Sequence, residues 1–325
     1  MKTLLILSKS EKDPSTRYRS LQYFSLFEKS GFKPQHMLLA KKTTNYLQAL
    51  TCARRAHTVI VLRRTLPILF LWLLRKNAKR LIFDFDDAIF CKDDGSRSTS
   101  RMARFATMVR LCDNIFAGNK YLAKAAQAFN SNVIQVPTSV DTNKYFVHAN
   151  KPKNSIDIVW IGSRSTRKYL EYIIPALQKA KKLVFNLRLK IIADFNLSDI
   201  GLQTLPIQWT PENEAIELAS AHIGIAPLTD DNWSQGKCGL KVLQYMAAGL
   251  PVIASNVGVN AELVQPGVNG DLARTMDDWA ESIHRLALNR DLRARYGSAG
   301  RQFVKCNYSI EVVFDRIISA LNTTI

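Results

Sequence analysis

At 325 residues, with 47% apolar and 22% charged side chains, the chain has ordinary globular composition, which excludes wholesale disorder and fibrous structure. Its formal net charge is +18, and the excess is lopsided: residues 1–150 hold 25 basic and 10 acidic side chains, whereas residues 151–325 hold 20 and 17. The basic half is therefore expected to face something anionic, whether nucleic acid, a phosphorylated substrate or an acidic membrane surface.

After Met1-Lys2-Thr3, the apolar run Leu4 to Leu7 is too short for a signal peptide and has no small-residue cleavage site. It reads as the interior of a first buried strand, Thr3–Leu7. Strand-like runs follow at Thr58–Leu62, Arg80–Phe85, Asn114–Ala117 and Asn132–Pro137. Helical periodicity marks Arg19–Lys29, Pro67–Ala78, Ser100–Leu111 and Lys120–Phe129 between them. The longest apolar run, Thr65 to Leu74, falls short of the roughly 18 residues that a membrane span needs. Five cysteines, Cys52, Cys91, Cys112, Cys238 and Cys306, share no metal-ligand spacing, and a cytosolic protein without disulfides is expected.

A polar stretch from Val147 to Ser155, containing Lys151, Pro152 and Lys153, reads as a linker, and the alternation then restarts. Strands are expected at Asp157–Ile161, Leu187–Ala193, His222–Ala226 and Pro251–Ser255. Helices are expected at Arg167–Lys181, Glu212–Ser220, Leu240–Ala248, Met276–Leu288, Asp291–Lys305 and Ser309–Leu321. Strands alternating with helices imply parallel sheets. The expectation is two Rossmann-like α/β domains, 1–150 and 151–325, facing each other across a cleft, with the last helix packing back on the first domain. Ligands of such sheets bind beyond the carboxyl ends of the strands.

The most informative block runs from Gly236-Lys237-Cys238-Gly239-Leu240-Lys241 through Gln244 to Met246-Ala247-Ala248-Gly249-Leu250-Pro251-Val252. Two glycines and a lysine opening a helix offer free backbone N–H groups and a helix dipole to an anion. Lys237, Lys241 and Gln244 would then share a helix face. A capped helix with solvated lysines is the competing account.

This block resembles the signature of the family 4 glycosyltransferases, retaining enzymes of the GT-B fold. In that signature a Glu, seven residues and a second Glu lead into Met-Ala-x-Gly-x-Pro-Val. Met246, Ala247, Gly249, Pro251 and Val252 match its ending, and the resemblance continues through Asn256–Glu262 and Pro266–Leu272. Upstream, Val136–Phe146 is similar to the family's domain junction, and Lys168–Ala176 to its first carboxyl-domain helix. Both family glutamates are missing: Gly236 and Gln244 stand in their places. The resemblance implies that residue 244 meets the nucleotide ribose, and Gln keeps an acceptor oxygen there while adding donors. Asp230 or Asp231 are candidates to replace the first glutamate, with solvated loop carboxylates as the alternative.

The family's Arg and Lys on the diphosphate align with Ser163 and Lys168. Gly162, Ser163, Arg164, Ser165, Thr166 and Lys168 still form a basic, hydroxyl-rich loop suited to phosphate, although Ser and Thr are also ordinary helix caps. The resemblance thus assigns donor binding to Gly162–Thr166, Lys168, Lys237, Gly239, Leu240, Lys241 and Gln244. Asp86 and Asp87, in Asp84-Phe85-Asp86-Asp87, fall near the family's His-Asp, where a carboxylate can orient or deprotonate an acceptor hydroxyl; capping of the Ala88 turn is the alternative. Arg17 and Arg19, after the first strand, are candidate contacts to an acidic acceptor.

Together these imply a retaining, metal-independent glycosyltransferase moving a sugar from a nucleotide-diphosphate donor to a glycan or lipid-linked acceptor, as in cell-surface polysaccharide or lipopolysaccharide synthesis. No cofactor, no metal and no nucleic acid partner is expected. The run Arg63–Lys76, apolar with basic flanks, reads either as a buried helix or as a segment meeting an anionic membrane, which would make the protein peripheral at the inner face of the cytoplasmic membrane. A nucleotide-sugar epimerase of the same fold and a catalytically weak nucleotide-binding homologue are the alternatives.

Overall fold

Two sheets of six parallel strands organise the chain. The computed structural model describes residues 1–11, 13–39 and 43–323, the side chain of Thr43 excepted. The chain divides into two units: Met1–Ser139 with Asp231–Cys238 and Ile310–Ile325, and Val140–Asp230 with Gly239–Ser309. The crossing from first to second unit at Ser139–Val140 precedes the Val147–Ser155 stretch. A short excursion, Asp231–Cys238, returns to the first unit.

In the first unit, β1 (Lys2–Ser8), β2 (Phe32–Leu38), β3 (Thr58–Leu62), β4 (Leu81–Phe85), β5 (Asn114–Ala117) and β6 (Val133–Gln135) form a sheet of order β2-β1-β3-β4-β5-β6. Side chains alternate across the pleat, so a strand covered on both faces must be apolar throughout. Leu5, Leu7, Val59, Val61, Phe83, Phe85 and Ile115 point to one core, closed by the helices Thr43–Arg55, Ile68–Asn77, Thr99–Leu111 and Lys120–Gln127. Leu4, Ile6, Ile60, Leu62, Ile82 and Phe116 point to the other.

That second core is closed by the helix Ile310–Asn322, which buries Val313, Phe314, Ile317 and Leu321 against it. The Phe314 ring lies 5.1 Å from that of Phe27 and 6.0 Å from that of Tyr23. The carbonyls of a helix's last turn have no partner within the helix. Here buried Arg80 meets two of them, donating to Ala320 O at 2.8 Å and Leu321 O at 2.7 Å. The carboxyl-terminal helix is thus part of the first unit's core.

In the second unit, β7 (Ile156–Ile161), β8 (Leu187–Ala193), β9 (Gln203–Gln208), β10 (Ile223–Ala226), β11 (Val252–Ser255) and β12 (Gly270–Ala273) take the order β12-β11-β10-β7-β8-β9. Ile158, Trp160, Leu189, Ile191, Ile223, Ile225 and Ile253 build its core under the helices Ile174–Leu183 and Met276–Leu288. Strand order reverses at β7, so the loop after it, from Gly162, lies where such sheets bind ligands.

Three strands escape the sequence pattern: β2, β9 and β12, all at sheet edges. In β2 and β9, polar residues and a proline (Pro34, Pro206) stand where central strands are apolar, as edges tolerate. The short helices Asn232–Gln235 and Gly258–Leu263 and the helix Thr43–Arg55 are likewise additions. The helix expected over Arg19–Lys29 starts earlier, at Pro14, where Asp13 accepts the Ser15 N–H at 3.2 Å. It breaks at Ser20, where the backbone turns out of the helical region, and resumes through a 3₁₀ turn into Phe24–Lys29.

Removing the Phe314 ring leaves a cavity beside Phe27 and Tyr23 in the buried core. Phe314→Ala is expected to cost about 3–5 kcal/mol in urea unfolding, against under about 1 kcal/mol for a surface change such as Lys305→Ala. A second expectation concerns pH. His222 Nδ1 accepts the Asp157 N–H at 3.0 Å, which requires that nitrogen to be unprotonated. Burial, with Lys151 and Arg293 nearby, holds the His222 pKa down to about 4. A folded pKa below the unfolded value means that this contribution is complete above about pH 6.5 and lost as pH falls towards 4. Between pH 7 and 4 the protein should therefore lose roughly 2–3 kcal/mol more stability than His222→Gln loses, as read by urea midpoints.

Candidate functional site

In the first unit, the carboxyl ends of β3 and β4 are neighbours in register, with Leu62 opposite Asp84. The chain leaves β3 through Arg63, a non-glycine residue at φ 47°, whose N–H donates to Asp84 O at 2.7 Å. This unusual backbone is maintained by side-chain contacts. The Arg63 guanidinium pairs with Asp87, donates to Asp13 Oδ1 at 3.2 Å and to Ser15 Oγ at 3.0 Å, and lies 3.9 Å from Asp86. Lys237 Nζ pairs with the other side of Asp87 at 2.7 Å. Ser15 Oγ lies 2.7 and 2.9 Å from the two oxygens of Asp86.

The carboxylates at the end of β4 therefore have distinct environments. Burial, with Asp86 next to it, pushes Asp87 above the usual carboxylate range in spite of Lys237 and Arg63. Asp84 is buried and pushed up to about 6, burial outweighing its pairing with Arg19. Asp86 is the most open of the three, with 15% of its side chain exposed. Among the described residues, neither Asp86 nor Asp87 caps the Ala88 turn with its side chain; both face Arg63. Among the described residues, no three His, Cys, Asp or Glu side chains gather as a group able to hold a metal ion.

Arg19 and Arg17 take different positions. Arg19 is buried: its guanidinium pairs with Asp84, reaching Oδ2 at 3.0 Å, and donates to Val136 O at 3.0 Å. It thereby ties the first helix to two strand ends. Arg17 is half-buried, its guanidinium 5.5 Å from the Tyr18 ring.

The segment carrying Lys237 is bound into the first unit by many contacts. Asn119 Nδ2 donates to Gln235 O and Lys237 O at 3.1 and 3.0 Å, while its Oδ1 caps the following helix. Asn232 donates to Gly95 O at 3.0 Å, and Cys238 Sγ to Asp86 O at 3.3 Å. Asp231 caps the turn, accepting the Ser234 N–H at 2.8 Å. The expectation that Lys237 shares a helix face with Lys241 is therefore corrected. The helix begins at Leu240, after Gly239 at φ 69°, and the Lys237 ammonium turns to Asp87 and lies 4.7 Å from the Trp233 ring. A Cβ on Gly239 would add strain at that φ and meet Leu263 at 2.5 Å.

The second unit assembles most of the remaining residues. Gly162 follows β7, and a Cβ there would strike the Trp160 ring at 2.2 Å. Ser163 and Thr166 cap each other's backbone across the turn, and Ser163 Oγ lies 2.9 Å from Ser165 Oγ. The Arg164 N–H donates to Asp194 at 2.9 Å, with its guanidinium nearby. Lys241 Nζ reaches this loop, 3.4 Å from Thr166 Oγ1 and 4.0 Å from the Trp160 ring centre. Lys168 Nζ lies 5.0 Å from the Tyr169 ring. No side chain caps the helix that Leu240 opens, so its first N–H groups and Lys241 offer an anion both dipole and charge.

Gln244 is buried on that helix and donates to Tyr145 OH at 3.0 Å. Tyr145 OH donates to Glu214 Oε1 at 2.5 Å, which Lys144 Nζ meets at 3.1 Å, and Trp209 Nε1 donates to Oε2 at 2.8 Å. Burial works against the charge of Glu214, but the Tyr145 hydroxyl, Lys144 and Trp209 outweigh it and hold the carboxyl below the usual range. Glu214, Tyr145 and Arg63 were not singled out by the sequence. Arg63 had one readable sign: it directly follows a buried strand, level with the Asp84–Asp87 run.

Residues 155–289 match the family described as glycosyl transferases group 1. The chain is 34% identical over 79 residues to spore coat protein SA of Bacillus subtilis. It is 36% identical over 72 residues to the GDP-mannose-dependent alpha-(1-6)-phosphatidylinositol monomannoside mannosyltransferase of Mycobacterium tuberculosis. These matches cover 23% and 22% of this chain and 21% and 19% of those proteins, so the chain aligns with about a fifth of the length of the curated relatives it matches. Across its whole length it superposes on Anabaena Alr3699/HepE, solved in complex with UDP and glucose, with TM-score 0.74 at 13% identity and full coverage of both chains. Residues 155–289 are thus similar to the group 1 glycosyl transferases, and the two six-stranded sheets have the GT-B fold of the superposed neighbour.

Proposed function

We propose that the protein is a retaining glycosyltransferase that takes a sugar from a nucleoside-diphosphate donor and passes it to a glycan or lipid-linked acceptor in cell-surface polysaccharide or lipopolysaccharide synthesis. The observation that carries the donor half is the convergence of Lys241 on the Gly162–Thr166 loop at the switch point of the second sheet. Hydroxyls, Lys168, Lys241 and the uncapped helix start form a cationic surface for a diphosphate leaving group that requires no metal ion. Gln244 is assigned to the ribose. HepE supports this reading because it was solved with UDP; the mannosyltransferase relative is named for GDP-mannose, so UDP and GDP are the bases to try first.

In the proposed reaction, the acceptor hydroxyl attacks on the face from which the diphosphate departs, without a protein nucleophile. Asp86 is the candidate to orient that hydroxyl, being the most open carboxylate at the end of β4; Asp87, clamped by two cations, sets the local charge. The acceptor is assigned to the first unit, which holds 26 basic and 12 acidic side chains.

A lipid-linked acceptor places the protein at a membrane, and the helix Ile68–Asn77 suits that role. No helix among the described residues is long and apolar enough to cross a membrane. This helix instead exposes 63% of Ile68, 69% of Leu69 and 47% of Trp72 along one face, with Lys76 Nζ 3.6 Å from the Trp72 ring centre. Apolar side chains flanked by lysines fit the headgroup region of an anionic bilayer. The name of the mannosyltransferase relative, which includes phosphatidylinositol monomannoside, a lipid-linked sugar, agrees with this choice. We place the protein at the cytoplasmic face.

Two measurements check these readings. A nucleotide that binds only the folded state, at 100 times its dissociation constant, adds about 2.7 kcal/mol of stability. UDP or GDP should therefore raise the melting temperature whether or not EDTA is present, and Lys241→Ala should weaken binding about tenfold by losing one charge on the diphosphate. No shift with either nucleotide would remove the donor assignment. Separately, the protein should sediment with phosphatidylglycerol vesicles but not with phosphatidylcholine ones, and Trp72→Ala with Leu69→Ser should reduce that fraction severalfold. Equal sedimentation of variant and parent would rule out this helix as the contact.

A further inference from the structure

The glutamate that the family signature places at position 244 is Gln in this chain, yet a carboxylate lies close by. Glu214 is one hydrogen bond behind the Tyr145 hydroxyl, which is itself one hydrogen bond behind Gln244. The direction of each proton in this row is forced. Lys144, Tyr145 and Trp209 converge on Glu214 and, against its burial, hold it below the usual carboxylate range, in the ionised, acceptor-only form. The single Tyr145 proton must therefore point to Glu214, and the Tyr145 oxygen can only accept from residue 244. It is the NH2 end of the Gln244 amide that must face Tyr145, whatever the ligand.

We propose that Glu214, acting through Tyr145, fixes which end of the Gln244 amide meets the donor ribose and strengthens that amide's carbonyl as an acceptor. This rests on the donor site proposed for the second unit. Glu214 is thus a positioning residue: it touches no ligand. A hydroxyl that donates to an anion becomes a better acceptor, and an amide whose N–H2 is so engaged becomes a better acceptor at its oxygen. The negative charge that the family's glutamate would bring to the ribose is displaced inward and relayed through two hydrogen bonds.

The same row explains why Gln stands at 244. A glutamate there would set two carboxylates against one phenol proton, with like charges two hydrogen bonds apart in a buried setting. Reversing the row requires exchanging the two ends. With Lys144, which is 35% exposed, released from the atom it shares with Tyr145, a Gln at 214 can donate to the Tyr145 oxygen, which frees the Tyr145 proton for a Glu at 244.

The test is a double-mutant cycle on the full chain with Q244E, E214Q and the double variant, read first by melting temperature without ligand and then by titration with UDP and GDP. Q244E is expected to lower the melting temperature and to weaken nucleotide binding about tenfold. In the E214Q background the same substitution should cost less stability, and the double variant should bind within about threefold of the parent. E214Q alone should weaken nucleotide binding severalfold. Tyr145→Phe, which keeps the ring and removes the relay, should weaken nucleotide binding more than it lowers the melting temperature. Additive costs in the cycle, or a Q244E variant that melts and binds like the parent, would overturn the proposal. If the parent binds neither UDP nor GDP, the donor reading fails and takes the ribose role with it, while ligand-free coupling between positions 214 and 244 still decides whether the proton row exists.

Discussion

A carboxylate taken out of water must be met by donors or cations, and the two carboxylates on which this chain depends most, Asp87 and Glu214, are met from parts of the sequence far from their own. Asp87 draws Arg63 from the preceding strand end and Lys237 from 150 residues downstream. Glu214 draws Lys144 and Tyr145 from the turn that opens the second unit, and Trp209 from the end of β9. A buried pair of this kind adds little net stability, but removing one partner strands a charge, so these contacts specify arrangement more than they supply energy. Asp87 holds the Asp231–Cys238 excursion to the first unit, and the uncapped helix start that follows belongs to the second. Gly239, in its left-handed conformation, is the point where the chain changes unit.

The central strands were legible because their physics is local. Covered on both faces, Thr58–Leu62 and Asn114–Ala117 are apolar after their first residue, and Leu187–Ala193 stays legible although Arg188 and Lys190, paired with Asp157 and Glu217, interrupt it. The edge strands β2, β9 and β12 answer to a different constraint. They contact one neighbour, and β2 and β9 face water on part of their surface and carry Pro34, Gln35 or Gln203 at no great cost, while β12 is only four residues long and holds Asp271, so their pattern merges with that of loops. The helix Thr43–Arg55 was lost for a related reason: its buried stripe rests on the small residues Ala49 and Ala53.

The site shows the same division between local and distant causes. That Lys241 reaches the Gly162–Thr166 loop follows from two recognisable segments, each opening a helix after a strand in one sheet, and the sequence could bring them together. That Lys237 would leave the helix face for Asp87 could not be read, because the αL turn at Gly239 is set by packing against Leu263 and by the claims of Asn119 and Asp87 on the preceding segment. Likewise the Gln at 244 was visible as a departure, but the hydrogen-bonded row behind it, Tyr145 and then Glu214, lies 99 and 30 residues away in the chain.

The charge asymmetry acquires a structural reason from these pairings. In the first unit Asp84, Asp86, Asp87, Asp13 and Asp113 are each turned to an arginine or a lysine of the same unit. Five of the unit's 12 acidic side chains thus face internal cations, while lysines such as Lys76, Lys79, Lys92 and Lys120 remain exposed. Over a Debye length of about 8 Å at physiological salt, exposed charges act on what lies directly against them and little on anything farther away. A basic surface of this kind attracts an extended anionic plane better than a single small ligand, because each lysine contributes separately. In the membrane docking proposed above, the apolar stripe of Ile68, Leu69 and Trp72 would supply what charge alone lacks, a depth at which to stop, since Trp72 carries Lys76 on its ring.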